Sequence, residues 1–135
     1  LEQGATYHST LESLLPVADF LSLHCPATDK TNGTMNRDRL ATMPDGAVLI
    51  NCARGTLVDE AALLQALDSG KLAAAGLDCF ANEPGGNPAF ARHENIFMLP
   101  HIGSATRATR DAMGFRALDN MDAFFAGKTP GDLVN

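Results

Sequence analysis

At 135 residues and 14.2 kDa, with 45% hydrophobic content, the chain is long enough for a compact domain with a real core, which argues against disorder. The formal net charge of −6 comes from scattered acids, and the ten Lys and Arg residues form no dense basic stripe, so nucleic acid is not the expected partner. No apolar stretch approaches the roughly 20 residues a bilayer requires, and the opening Leu-Glu-Gln-Gly has no signal-peptide character, so the expected setting is soluble and cytoplasmic.

Ser9-Thr10-Leu11-Glu12 has the form of a capping box and predicts a short helix to about Pro16. Asp19 to Cys25 is mostly apolar and closed by Pro26, as expected of a buried strand ending in a turn. Asn36 can cap a second short helix through Met43. After the Pro44-Asp45-Gly46 turn, Ala47-Val48-Leu49-Ile50 is a continuous apolar run, the pattern of a parallel strand covered on both faces, and it delivers Asn51-Cys52-Ala53-Arg54-Gly55 at its carboxyl end. Asp59 and Glu60 precede Leu63, Leu64 and Leu67 at helical spacing, with Gly70 at the stop. Leu72 to Leu77 predicts a third strand and Asn95 to Leu99 a fourth, stopped by Pro100. From Ser104 to Ala126, the residues Ala108, Ala112, Phe115, Leu118, Met121 and Phe125 recur every three or four positions and predict one long amphipathic helix ended by Gly127 and Pro130. Strands alternating with helices imply an α/β fold with a parallel sheet, in which ligands collect beyond the carboxyl ends of the strands. The three cysteines, Cys25, Cys52 and Cys79, are odd in number and lie in or beside apolar runs, so no structural disulfide is expected.

Arg54 follows an apolar strand and precedes a glycine, so a tight turn would present its guanidinium at the ligand edge. A planar guanidinium can hold a carboxylate or polarised carbonyl through paired charge-assisted hydrogen bonds. Taken alone, such an arginine more often ties down a loop. His101, between Pro100 and Ile102, is placed to exchange a proton near neutral pH. Glu83, in the turn Asp78-Cys79-Phe80-Ala81-Asn82-Glu83-Pro84, would favour the imidazolium if its carboxylate reached the His101 ring. Either residue alone would be unremarkable.

Three segments change that estimate together. Leu49-Ile50-Asn51-Cys52-Ala53-Arg54-Gly55-Thr56-Leu57-Val58-Asp59, Gly76-Leu77-Asp78-Cys79-Phe80-Ala81-Asn82-Glu83-Pro84 and Leu99-Pro100-His101-Ile102-Gly103-Ser104-Ala105-Thr106 closely resemble, in order and spacing, the consecutive signatures of the D-isomer-specific 2-hydroxyacid dehydrogenases. The resemblance implies a Rossmann-like parallel sheet with helices on both faces, incomplete at its N-terminal half, followed by a long C-terminal helix. It implies hydride transfer between NAD or NADP and a small 2-keto or 2-hydroxy acid of the glyoxylate or hydroxypyruvate type. Arg54 would bind the substrate carboxylate and keto oxygen, His101 would donate the proton in reduction, and Glu83 would support His101. Asp78 would contact the nicotinamide carboxamide, Cys52 and Ala53 would face the nicotinamide through backbone, and Gly103 would allow close approach. His24, Cys25, Pro26 and Thr31 resemble the segment under the cofactor ribose and pyrophosphate. Family members usually pair as homodimers through the cofactor domain.

By the same resemblance, residues 1–103 correspond to the second half of the dinucleotide-binding domain, 104–127 to a hinge helix and 128–135 to a tail that docks on a separate substrate domain. The glycine-rich G-x-G-x-x-G turn and the acidic residue about 20 positions later are expected before Leu1. A chain of these residues alone is therefore expected to be a fragment with negligible activity and an apolar edge on its first strand. Two other readings use the same residues. His24, Cys25, Cys52, Cys79 and His101 fall near one sheet edge and could ligate zinc, but no cysteine belongs to a C-x-x-C pair, and no metal site is expected. A non-catalytic dinucleotide-binding or interaction protein on the same fold is the other, and such a protein needs neither a carboxylate clamp nor a proton donor.

Overall fold

The computed structural model of the chain describes residues 4–134, so the outermost positions of the expected domain and tail, 1–3 and 135, lie outside the described residues. Two compact units meet in sequence between Pro100 and His101.

The first unit is built on a four-stranded parallel sheet of β1 (Phe20–Leu23), β2 (Ala47–Asn51), β3 (Leu72–Leu77) and β4 (Ile96–Met98), in that spatial order. Its helices are α1 (Leu11–Leu14), α2 (Arg37–Thr42) and α3 (Glu60–Asp68), supplemented by short 3-10 turns at Leu15–Val17, Gly55–Leu57 and Pro88–Arg92. Leu21, Leu49, Ala75 and Ile96 lie in register across the four strands and are all buried. They join Leu40 of α2 and Leu63, Ala66 and Leu67 of α3 in one apolar core. Burying aliphatic side chains of this size contributes about 1.5–3 kcal/mol each, and that burial fixes which sheet face meets the helices.

Sequence and structure differ at several boundaries. Thr10, not Ser9, caps α1 by accepting the Ser13 N–H, which shifts Glu12 away from the capping-box position. The Glu12 carboxylate instead accepts from Arg39 at 3.0 Å. β1 stops at Leu23 rather than Cys25 because the chain enters a loop organised by Thr31, whose hydroxyl donates to the Pro26 carbonyl at 2.7 Å and accepts the Thr28 N–H at 2.8 Å. The run at 47–50 is not uniformly buried: Ala47 and Leu49 are, while Val48 and Ile50 are half-buried. Their neighbours in register are Phe20 and Ser22 on one side, both exposed, and Ala74 and Gly76 on the other, so this face of the sheet is the more open one.

The second unit is dominated by α4 (Arg107–Phe125), capped by Thr106, whose hydroxyl accepts the Thr109 N–H. Its end is a Schellman arrangement: Gly127 has φ of 69°, Gly127 N–H bonds the Phe124 carbonyl, and Lys128 N–H bonds that of Ala123. The predicted amphipathic character is not realised. No residue of α4 is buried, and Met113, Phe115, Leu118, Met121, Phe124 and Phe125 are all exposed. At 100° per residue Asp111, Asp122 and Arg107 fall among Phe115, Leu118 and Phe125, so charge interrupts the stripe that three-and-four spacing suggested. Among the described residues, no helix is long and apolar enough to cross a membrane.

Candidate functional site

The carboxyl ends of β1 and β2 open into a cavity of about 470 Å³ lined by His24, Cys25, Pro26, Ala27, Ala53 and Arg54. This is where a parallel sheet directs the backbone of successive strand-to-helix turns toward a ligand. Five residues singled out from sequence therefore meet in one cavity: His24, Cys25, Pro26, Ala53 and Arg54. A larger groove of about 570 Å³ lies elsewhere, between α2 and α3, and contains none of them.

Arg54 is exposed and its Nη1 donates to the Ala53 carbonyl at 2.7 Å. Its turn is shaped by Asn51, the last residue of β2, which is 1% exposed. The Asn51 amide donates to the Arg54 carbonyl at 2.9 Å while its oxygen accepts the Ala53 N–H at 3.1 Å, folding 51–54 around one satisfied polar side chain. Gly55 follows because nothing larger fits. A Cβ there would fall within the Phe80 carbonyl and the Ala81 nitrogen, so the turn after β2 rests directly on the loop after β3. Neither role was assigned from sequence. An Asn closing an apolar strand two residues before Ala-Arg-Gly was the available signal for the first.

The loop after β3 carries Asp78 and Glu83. Asp78 is buried, and its N–H donates to the Asn51 carbonyl at 2.9 Å. Exposed Glu83 accepts the Phe80 N–H on Oε1 at 2.7 Å, and its bond to Pro84 is cis. Cys79 between them reports the local field. Burial first, then the neighbouring Glu83, Cys52 and Asp78 groups, push its thiol up to about 11, while Arg54 pulls it the other way. The charges of Arg54, Asp78 and Glu83 are thus within electrostatic reach of one sulfur. Cys52 is exposed, and Cys25 is half-buried at the cavity.

Two expected cofactor residues have local tasks of their own. Thr31 is not among the cavity residues and spends its hydroxyl inside the 26–31 loop, as above. The His24 Nε2 pairs with the Ser22 hydroxyl at 2.8 Å. His101 and Gly103 open the second unit, where His101 is exposed and has φ of 56°. A left-handed conformation is uncommon for a side-chain-bearing residue and concentrates at functional positions. Among the described residues, no group of three or more His, Cys, Asp or Glu could hold a metal ion.

Residues 1–103 match the model of the D-isomer specific 2-hydroxyacid dehydrogenase NAD binding domain. The chain belongs to that family. It is 44% identical over 135 residues to a glyoxylate reductase of Aeropyrum pernix, covering 99% of this chain and 40% of that protein. It is 44% identical over 123 residues to a glycerate dehydrogenase of Hyphomicrobium methylovorum, covering 91% and 38%. Among solved structures, an NADPH-dependent glyoxylate/hydroxypyruvate reductase of Sinorhizobium meliloti in complex with NADP and malonate superposes with a TM-score of 0.87 at 43% identity, over 92% of this chain and 39% of that one. A D-lactate dehydrogenase of Lactobacillus jensenii with NAD+ gives 0.85 at 31% identity, over 94% and 42%. The chain thus spans about two fifths of the length of these family members.

Proposed function

We propose that the protein is an NAD(P)-dependent oxidoreductase interconverting small 2-keto acids and D-2-hydroxy acids of the glyoxylate or hydroxypyruvate type. The observation that carries this reading is the cavity at the carboxyl ends of β1 and β2, with Arg54 at its wall on an Asn51-shaped turn. Its volume is in the range of small-molecule sites, roughly 300–1,000 Å³, and its lining of Cys25, Pro26, Ala27 and Ala53 beside the His24 imidazole and one guanidinium suits a flat cofactor ring next to a carboxylate. His24, Cys25, Pro26, Thr31, Cys52, Ala53, Arg54, Asp78, His101 and Gly103 are the residues we assign to the cofactor, Arg54 and His101 in addition to their catalytic roles. A bound nicotinamide dinucleotide supplies the hydride.

The remaining work belongs to this chain. Arg54 holds the substrate carboxylate and draws density onto the keto oxygen. His101 delivers a proton to that oxygen in reduction and removes it in oxidation, and Glu83 stabilises the His101 imidazolium. We assign residues 1–103 to the cofactor domain, 104–127 to a hinge helix and 128–135 to a docking tail. A cytoplasmic homodimer that pairs through the cofactor domain is part of the same reading.

The test is reduction of glyoxylate and hydroxypyruvate by NADH and NADPH in the full-length protein. Arg54→Gln is expected to lower kcat/KM by about 10²- to 10³-fold, the cost of removing one charge-stabilising donor, with a far smaller change in cofactor affinity. The 135-residue chain alone is expected to turn over negligibly. A full-length protein that reduces no 2-keto acid with either cofactor, or an Arg54→Gln variant with unchanged kcat/KM, refutes the reading.

A further inference from the structure

Glu60 stands in the first turn of α3, and neither cavity includes it. An acid there needs no explanation beyond the helix dipole, but its two oxygens are spent elsewhere. Oε1 accepts the Ala81 N–H at 2.9 Å and Oε2 accepts the Asn87 side-chain amide at 3.1 Å. These partners flank Glu83 on both sides in sequence. Asn87 also fixes the far end of the loop, because its oxygen caps the Pro88–Arg92 turn through the Ala89 N–H at 3.0 Å.

The Phe80–Ala81 peptide is therefore held twice. Gly55 abuts its carbonyl side, and Glu60 takes its N–H. On the preceding N–H, that of Phe80, sits the Glu83 carboxylate at 2.7 Å. Three contacts within two residues thus join the turn that presents Arg54, the start of α3 and the carboxylate of Glu83. We infer that Glu60 is a positioning residue for the proposed reaction: by clamping Ala81 and Asn87 it fixes the loop that seats Glu83 against the Phe80 N–H.

This inference rests on the proposed function for its catalytic consequence, but the seat itself can be read without turnover. In the full-length protein, Glu60→Ala is expected to speed hydrogen exchange at the Phe80 and Ala81 amides and to lower kcat about 10- to 100-fold, the range for slight misplacement of a catalytic group. KM for the keto acid should stay near its wild-type value, since Arg54 keeps its own turn. Glu60→Gln retains one acceptor but turns an NH₂ toward the Asn87 NH₂, so it should show the same losses in weaker form. Adding Asn87→Asp restores a donor–acceptor pair and keeps the cap at Ala89, so the double variant should recover both Phe80 protection and kcat.

Protection at Phe80 that survives Glu60→Ala overturns the inference whether or not the protein reduces keto acids. Lost protection with unchanged kcat also overturns it, leaving Glu60 a loop fastener only. Failure of the Asn87→Asp rescue in a folded protein does the same. A wild-type protein with no turnover sinks the proposed function separately, and the Phe80 amide then decides whether the seat exists.

Discussion

The sheet unit and the α4 unit are both regular and well capped, yet different forces hold them. In the first, twenty of the described residues form one buried apolar cluster, and polar groups close the turns around it. In the second, no residue of α4 is buried, and among the described residues polar bonds tie it to the tail: Arg116 pairs with the Asp132 carboxylate, and Asn120 donates to the same carboxylate at 2.8 Å. The contrast teaches that helical spacing in a sequence reports helical conformation more faithfully than burial, because burial needs a partner surface that spacing alone does not supply.

The largest effect is expected where backbone meets backbone. Gly55→Ala places a Cβ inside the Phe80–Ala81 peptide, a clash that no rotamer relieves. The cost should lie well above the roughly 1–3 kcal/mol of ordinary overpacking and exceed the roughly 2–5 kcal/mol of a buried-leucine truncation, read as a drop in the urea midpoint, with loss of activity in the full-length protein. Next come paired truncations that compare the two units directly. Leu49→Ala, at a side chain with 0% exposure, should cost about 2–5 kcal/mol. Leu118→Ala, at 53% exposure, should stay within about 0.5 kcal/mol in the 135-residue chain. Equal shifts in the two unfolding curves would mean that α4 finds cover in solution and that the comparison is wrong.

Much of this difference was legible in advance on one side only. The four strands, α2 and α3 followed from apolar runs bounded by Pro44, Gly46, Gly70 and Pro100, since local chemistry and tertiary packing agree there. Among the cavity residues, His24 to Pro26 and Ala53 were legible through the family resemblance, and Arg54 also through its place in a turn after an apolar strand. Glu60 at a helix start and Gly55 in a tight turn were legible, but their contacts with the loop after β3 were not. A glutamate at a helix start and a glycine after an arginine have ordinary local explanations, and their contacts lie more than twenty residues away in sequence. α4 failed for the opposite reason: six apolar residues at suggestive spacing ignored the charges lying among them.

The proton-linked effects show only away from neutral pH, and they separate the units. Cys79, raised to about 11, keeps its proton in the folded state beyond the point where an unfolded cysteine, with a pKa of about 8.5, has lost it. Its contribution to stability is therefore complete below the unfolded value and is lost as pH rises toward the folded one. Cys79→Ala should flatten the alkaline fall in the sheet unit's unfolding midpoint between about pH 8.5 and about 11.

Asp132 works in the other direction. Hydrogen bonds from Arg116 and then Asn120 hold its carboxyl below the usual carboxylate range. A depressed folded pKa gives stability that is present above the unfolded value, about 3.9, and is lost as pH falls through the folded one. The pair is exposed and open to salt screening, so the loss should be small and should shrink further at high ionic strength. Amide exchange in α4 around Arg116 is the suitable measurement, because a global midpoint is dominated by the sheet. Asp132→Asn should remove the acid-dependent rise in exchange there and leave β2 and β3 unaltered. A rise that persists in Asp132→Asn would show that α4 is held by something other than this carboxylate.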